Sequence, residues 1–287
     1  MATIQGLGFV CLCSLALVGD IILLFSFSSN ITSDIIGLIS AFLLAVVFAL
    51  VIKSIADLFF KRKLKNIKIP GILLSAILCL LLITIALFTV MNFSEFAGEV
   101  MLSSRSVAVP FVTVSALAVY IALCGKNTVN KISLLLFPVA VLSVVLIFAF
   151  SVQFMSVKYL IPYKMPETGQ AFSVFLPVFL NLVATAVPIA VISKGVKKRH
   201  VAVSYLFGVL LLAFCAVCPL AIFGSELAST IYYPYSKAVS TASMGHIFSR
   251  MDGFLYAVCF FSALMKTALC IRATILIFKN SFKRIFS

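Results

Sequence analysis

The sequence predicts an all-α integral membrane protein of about eight transmembrane helices. Composition is the first reason: of 287 residues, 63% are hydrophobic and 10% charged, with mean hydropathy +1.25. A soluble domain is closer to half apolar and a quarter charged. Patterning is the second: the apolar residues fall into eight blocks near the ~20 residues that cross a hydrocarbon core. The longest run between blocks is about 29 residues, so the chain 1–287 reads as a single transmembrane domain.

The first block, about 5–28, contains Gly19-Asp20 and ends in Phe25-Ser26-Phe27-Ser28-Ser29. It has no basic n-region and no clear cleavage site, so it reads as a retained helix. A tight turn at 29–33 leads to the second block, 34–57, with Lys53 near its end. The third, fourth and fifth blocks are 70–92, 107–124 and 132–153. The sixth, 172–193, holds Pro177 and Pro188 with Asn181 and Thr185 between them. The seventh is 201–223, and the eighth, 253–277, contains Lys266 and Arg272. All are apolar around their circumference, unlike a surface helix. In the connection 224–252, a short apolar pattern at Ala238–Phe248 predicts an interfacial or re-entrant helix.

The formal charge of +14 sits in short clusters between blocks, which points to membrane topology before nucleic acid. Loops 58–69, 125–131 and 194–200 and the tail after 277 hold fourteen Lys and Arg, and the opposite loops hold five. The positive-inside rule therefore places the fourteen, and both termini, in the cytoplasm.

Soluble-enzyme motifs are absent: there is no glycine-rich phosphate loop, no HExxH and no Ser-His-Asp set. His200 and His246 fall on opposite sides of the membrane. Cys215-x-x-Cys218 lies inside an apolar block without nearby His, so its cysteines read as small hydrophobes. No cofactor, metal or catalytic residue is expected.

Ionisable groups inside a membrane are costly and are functional candidates. Asp20 lies in the outer half of the first span and Lys266 near the middle of the eighth. They are open to two readings, a structural ion pair or a charge pair lining a ligand or proton path. Lys53 and Arg272 lie near cytoplasmic ends, where long side chains snorkel. Each proline of the sixth span removes a backbone donor and frees a carbonyl. Such carbonyls are tolerated where they are buried or face a wet cavity. With Gly19-Asp20 this suggests interrupted helices at spans 1 and 6, corresponding positions of a five-plus-five inverted repeat. A kinked structural helix is the alternative.

The stretch from Gly224 through Tyr233-Pro234 to Arg250-Met-Asp252 resembles the signature of the GerAB-type spore germination proteins. Phe261-Ser-Ala-Leu-Met-Lys266, Leu136-Phe137-Pro138 and Tyr159-Leu-Ile-Pro162 are similar to further elements of that family. The resemblance implies a LeuT-like inverted-repeat bundle of the amino acid–polyamine–organocation (APC) superfamily, with its site built from spans 1, 3, 6 and 8. It implies a germinant-receptor subunit of the inner spore membrane that senses a small germinant, typically an amino acid, beside a large membrane subunit and a lipoprotein. Gly19, Asp20, Ser26, Asn181, Thr185 and Lys266 are the ligand-site candidates; Pro177, Pro188, Gly224, Pro234, Arg250 and Asp252 are the structural ones. The ligand's carboxylate would meet amides of a broken first helix, and Asp20 its ammonium. The chain departs from the family in three ways: about eight spans instead of ten, hence an incomplete second repeat; no tryptophan; and no Gly/Glu centre in the sixth span. An amino acid transporter of the same superfamily and a non-binding scaffold subunit remain alternatives.

Overall fold

The computed structural model describes residues 2–24, 27–61, 68–101, 106–161, 165–193, 196, 198–241 and 252–285, with side chains at 2–5, 19–24, 58–61, 68–74, 101, 126 and 280–285 outside that description. The described residues form helices and connections, with no strand among them. The order is α1 (Ala2–Leu24), α2 (Ile31–Lys61), α3 (Lys68–Phe96), α4 (Ala108–Leu123), α5 (Lys126–Ser151), α6 (Thr168–Ile192), α7 (Lys198–Ala228), α8 (Pro234–Thr241) and α9 (Asp252–Ile285). A π-helical turn, Ala97–Met101, extends α3, and two 3₁₀ turns follow α5.

Six helices, α2, α3, α5, α6, α7 and α9, are long and apolar enough to cross a membrane, the architecture of a multi-pass membrane protein. The other two expected spans coincide with α1 and α4. Their apolar described stretches, Gly6–Val18 and Ala108–Leu123, are shorter than a typical crossing.

Two parallel helix pairs organise the bundle. In the first, α2 runs beside α6. Ser33 Oγ accepts the Glu167 N–H at 2.9 Å, Gly37 packs on the backbone of Ala171, Phe48 meets Phe179 edge-on, and Lys53 reaches Ser193. In the second, α1 runs beside α7: Ser14 Oγ donates to the Ser204 carbonyl at 2.9 Å, and Gly208 packs against Leu17. Close backbone approach at small residues, with hydroxyl hydrogen bonds between helices, is how helices associate where lipid offers no hydrophobic contrast. Hydroxyls also fix α1 to two more neighbours. Ser262 Oγ on α9 donates to the Leu15 carbonyl, and Ser133 Oγ on α5 donates to the Gly8 carbonyl at 2.9 Å.

The most enclosed helix is α9, which contacts α1, α3, α4, α5, α6 and α8. It runs antiparallel to α3 through Phe93–Phe260 and Phe96–Tyr256 ring contacts.

The interruptions expected in spans 1 and 6 are not present. The first helix is continuous through Gly19 and Asp20 and ends only at Leu24, and α6 is continuous from Thr168 to Ile192. One glycine costs a helix about 1 kcal/mol, and contacts with α5, α6, α7 and α9 hold α1 in place. Each proline removes a single ladder bond. The chain breaks instead at Gly224, at φ 72° and ψ 166°, near the C-terminal end of α7. That break releases the Ala221 carbonyl, which accepts the Ser156 N–H at 2.9 Å.

The short helix of the 224–252 connection begins earlier than expected, as α8. Its Pro234, Tyr235, Ala238 and Val239 are buried against the bundle. The expected remainder, 242–248, lies outside the described residues.

Candidate functional site

Where α9 crosses α6, Lys266 Nζ donates to Asn181 Oδ1 at 2.7 Å. Both side chains are buried, at 2% and 8% exposure. The contact follows from sequence position. Asn181 is one turn after Pro177, between the two prolines of α6, and Lys266 is one turn beyond Ser262, on the face of α9 that meets α1. Thr185, one turn below Asn181, donates its hydroxyl to the Asn181 carbonyl at 2.9 Å. Three of the six expected ligand-site residues therefore converge.

Of the other three, Gly19 and Asp20 lie within α1, with their side chains outside the described residues, and Ser26 lies outside them altogether. The expected Asp20–Lys266 pairing falls there too. Amides at Gly19-Asp20 are part of a continuous helix, so the expected carboxylate contact with a broken first helix is corrected.

Among the structural candidates, Pro177 and Pro188 sit inside α6, and Gly224 provides the break of α7. At Gly224 a Cβ would lie 3.3 Å from the Tyr159 ring. Pro234 opens α8 and Asp252 opens α9, while Arg250 is outside the described residues.

Lys53 does not snorkel. It is 1% exposed and donates to Asp57 Oδ1 at 2.7 Å and to the Ser193 carbonyl, the C-cap of α6, at 2.8 Å. Arg272 similarly reaches the Ala122 carbonyl near the end of α4, at 3.3 Å. A cation at a helix C-terminus satisfies orphan carbonyls and complements the dipole.

Sequence reasoning missed Tyr205. Fully buried on α7, it donates its hydroxyl to the Leu182 carbonyl at 3.1 Å, one residue after Asn181. A phenol inside an apolar span needs a hydrogen-bond partner, and that was the available signal. Tyr235 was missed as well: α8 inserts it beside Cys215 of α7, and burial holds its phenol well above the usual range. No group of His, Cys, Asp and Glu able to hold a metal occurs among the described residues.

A shallow groove of about 650 Å³ runs along α4, lined by Ala108, Val109, Val112, Thr113, Ala116 and Leu117. It is almost wholly apolar and shares no residue with the Lys266 cluster.

Comparisons with protein-family models, with curated proteins and with solved structures gave no match to this chain.

Proposed function

We propose that the protein is a ligand-sensing membrane subunit of the germinant-receptor type, binding a small amino acid at the Lys266–Asn181 crossing. The observation that carries this is a buried cation, Lys266, hydrogen-bonded to Asn181 where α9 crosses α6. A ligand shifts a conformational equilibrium only by binding one state better than another. Here the ligand's carboxylate replaces Asn181 Oδ1 on the Lys266 ammonium. That exchange loosens α6 from α9 and gives the bound state a packing different from the free one. Companion receptor subunits would read the change.

Packing supports an eight-span inverted repeat. Exchanging spans 1 with 6 and 2 with 7 turns the α1–α7 pair into the α6–α2 pair, and both pairs are parallel and closely packed. The parallel run of α2 and α6 also fits three crossings between them, which supports counting short α4 as a span beside α3 and α5. An even count puts both termini on one side, and the Lys and Arg distribution favours the cytoplasm for it.

The test is binding of an amino acid panel to the purified protein and to Asn181→Ala and Lys266→Met. Affinity unchanged in both variants would sink the site. A secondary amino acid transporter is the second reading, favoured by the same repeat-like pairing. Uptake of labelled amino acid into proteoliposomes, driven by a proton or sodium gradient, selects it.

A further inference from the structure

The start of the connection between α5 and α6 is apolar where such a connection is usually polar. After Lys131 the next charged residue in the chain is Lys158. Lys131 is exposed, and the helix from it to Ser151 rises about 30 Å, the thickness of a hydrocarbon core. One side of this helix carries the exposed residues Leu135, Leu142, Val145 and Val152. Helical backbone continues through Val152, at φ -52° and ψ -38°, so this row runs past the end of α5.

The two 3₁₀ turns that follow, Val152–Phe154 and Val157–Leu160, extend it. Side chains in this segment divide in two. Met155 and Leu160 pack inward against the core, whereas Val157, Tyr159 and Ile161 are 74%, 48% and 55% exposed. The segment is fixed to α7. The Ser156 N–H donates to the Ala221 carbonyl at 2.9 Å, and the Tyr159 ring lies over Gly224, 3.3 Å from where a Cβ would stand. The outward row of apolar side chains therefore has a fixed backbone beneath it.

We propose that 152–161 is a membrane anchor, seated at the boundary between headgroups and acyl chains in the leaflet opposite Lys131. An exposed apolar surface marks a contact with membrane or protein. Continuity selects the membrane here, because the row extends the lipid-facing side of a spanning helix. The residue types agree: Tyr159 and Lys158 each join an apolar body to a polar tip, which suits the interface. The backbone limits the depth. Its 3₁₀ turns are joined by extended residues, Met155 and Ser156, and do not continue the helical hydrogen-bond ladder. Such backbone does not face hydrocarbon. At headgroup level water satisfies it while the apolar side chains reach the acyl chains.

The anchor rests on exposure along α5 and on contacts with α7, and on no property of Lys266, so it stands apart from the germinant-receptor reading. It also gives the break of α7 a second support. Ser156 and Tyr159 hold the chain at Ala221 and Gly224 from a segment that lipid keeps in place.

The chain contains no tryptophan, so a single introduced Trp reports its own surroundings. The experiment reconstitutes the full chain with Val157→Trp or Tyr159→Trp into phosphatidylcholine vesicles whose acyl chains are plain, brominated near the glycerol end, or brominated near the methyl end. Leu142→Trp, at an exposed position within α5, is the hydrocarbon standard. Bromines near the glycerol end should quench both anchor reporters more than bromines near the methyl end, and the order should reverse for Leu142→Trp. Iodide in the water should quench the anchor reporters less than it quenches free N-acetyltryptophanamide. Loss of all bromine quenching, with iodide quenching equal to that of the free indole, would put the segment in water as a surface for a partner protein and overturn the proposal. Stronger quenching from the methyl end would put it in the hydrocarbon and overturn it too. Val157 is the most exposed of the three, so its variant reports even where Tyr159→Trp disturbs the seat on Gly224.

Discussion

The ammonium of Lys266 and the side-chain oxygen of Asn181, 85 residues apart in sequence, meet at 2.7 Å and join α9 to α6. Removing Asn181 Oδ1 leaves a buried cation short of an acceptor, and that asymmetry makes the pair testable. Asn181→Leu should lower stability by about 1–3 kcal/mol, the range for a buried hydrogen bond to a charge. With Lys266→Met also present, much of that loss should return. Thermal unfolding of both singles and the double in one detergent measures the coupling. Strict additivity would show that the bond contributes nothing.

Lys53 ties α2 to the end of α6 through Asp57 and the Ser193 carbonyl. Its loss strands a buried carbonyl and a carboxylate. Lys53→Met should cost roughly 2–3 kcal/mol, in the range for losing a hydrogen-bonded charge. Asp57, whose side chain is 30% exposed, matters less, so Asp57→Asn should cost under about 1 kcal/mol. Equal melting temperatures for the two variants would contradict this ordering.

Gly37 lets α2 approach α6. A Cβ there would stand 2.7 Å from the Ala171 carbonyl oxygen and 3.2 Å from Val174 Cβ, whereas at Gly169 it would meet nothing within 4 Å. Gly37→Ala should therefore destabilise by about 1–3 kcal/mol, an overpacking cost, while Gly169→Ala stays within about 0.5 kcal/mol of the parent. Comparing the two by unfolding in detergent is the check, and a harmless Gly37→Ala would mean that the helices part freely.

Gly224 occupies backbone space that only glycine enters readily. Its break orients the chain towards α8, which seats Tyr235 between α7 and α9. Gly224→Ala should cost about 1–3 kcal/mol and raise protease cleavage in the 224–241 stretch. Unaltered cleavage would show that α8 keeps its seat without the break.

Much of this fold is legible in the sequence because hydropathy blocks report helices directly. All eight expected blocks coincide with helices, and the turn before α2 is marked by Asn30, whose side chain accepts the Thr32 N–H. What length and hydropathy do not settle is how apolar helices pair: nothing in the residues near Lys53 announces a partner at Ser193. Gly19 and the α6 prolines suggested broken helices because local propensity disfavours them, and packing against neighbouring helices outweighs that cost. The burial of α8 was hidden for another reason. A helix of eight residues with Ser, Lys and Thr among them gives no sign in its sequence of which helices it packs against. At the site, Asn181, Thr185 and Lys266 were legible as polar groups out of place in apolar spans, and Tyr205 and Tyr235 were passed over.

The most direct test of the account is whether the ligand's carboxylate meets Lys266. The measurement is the affinity of the best-binding amino acid and of its methyl ester, each on the unaltered protein and on Lys266→Met. The account predicts that esterification weakens binding by an order of magnitude or more on the unaltered protein, about 1.4 kcal/mol per tenfold, and hardly at all on Lys266→Met. Equal losses on both proteins would place the carboxylate elsewhere and contradict the account.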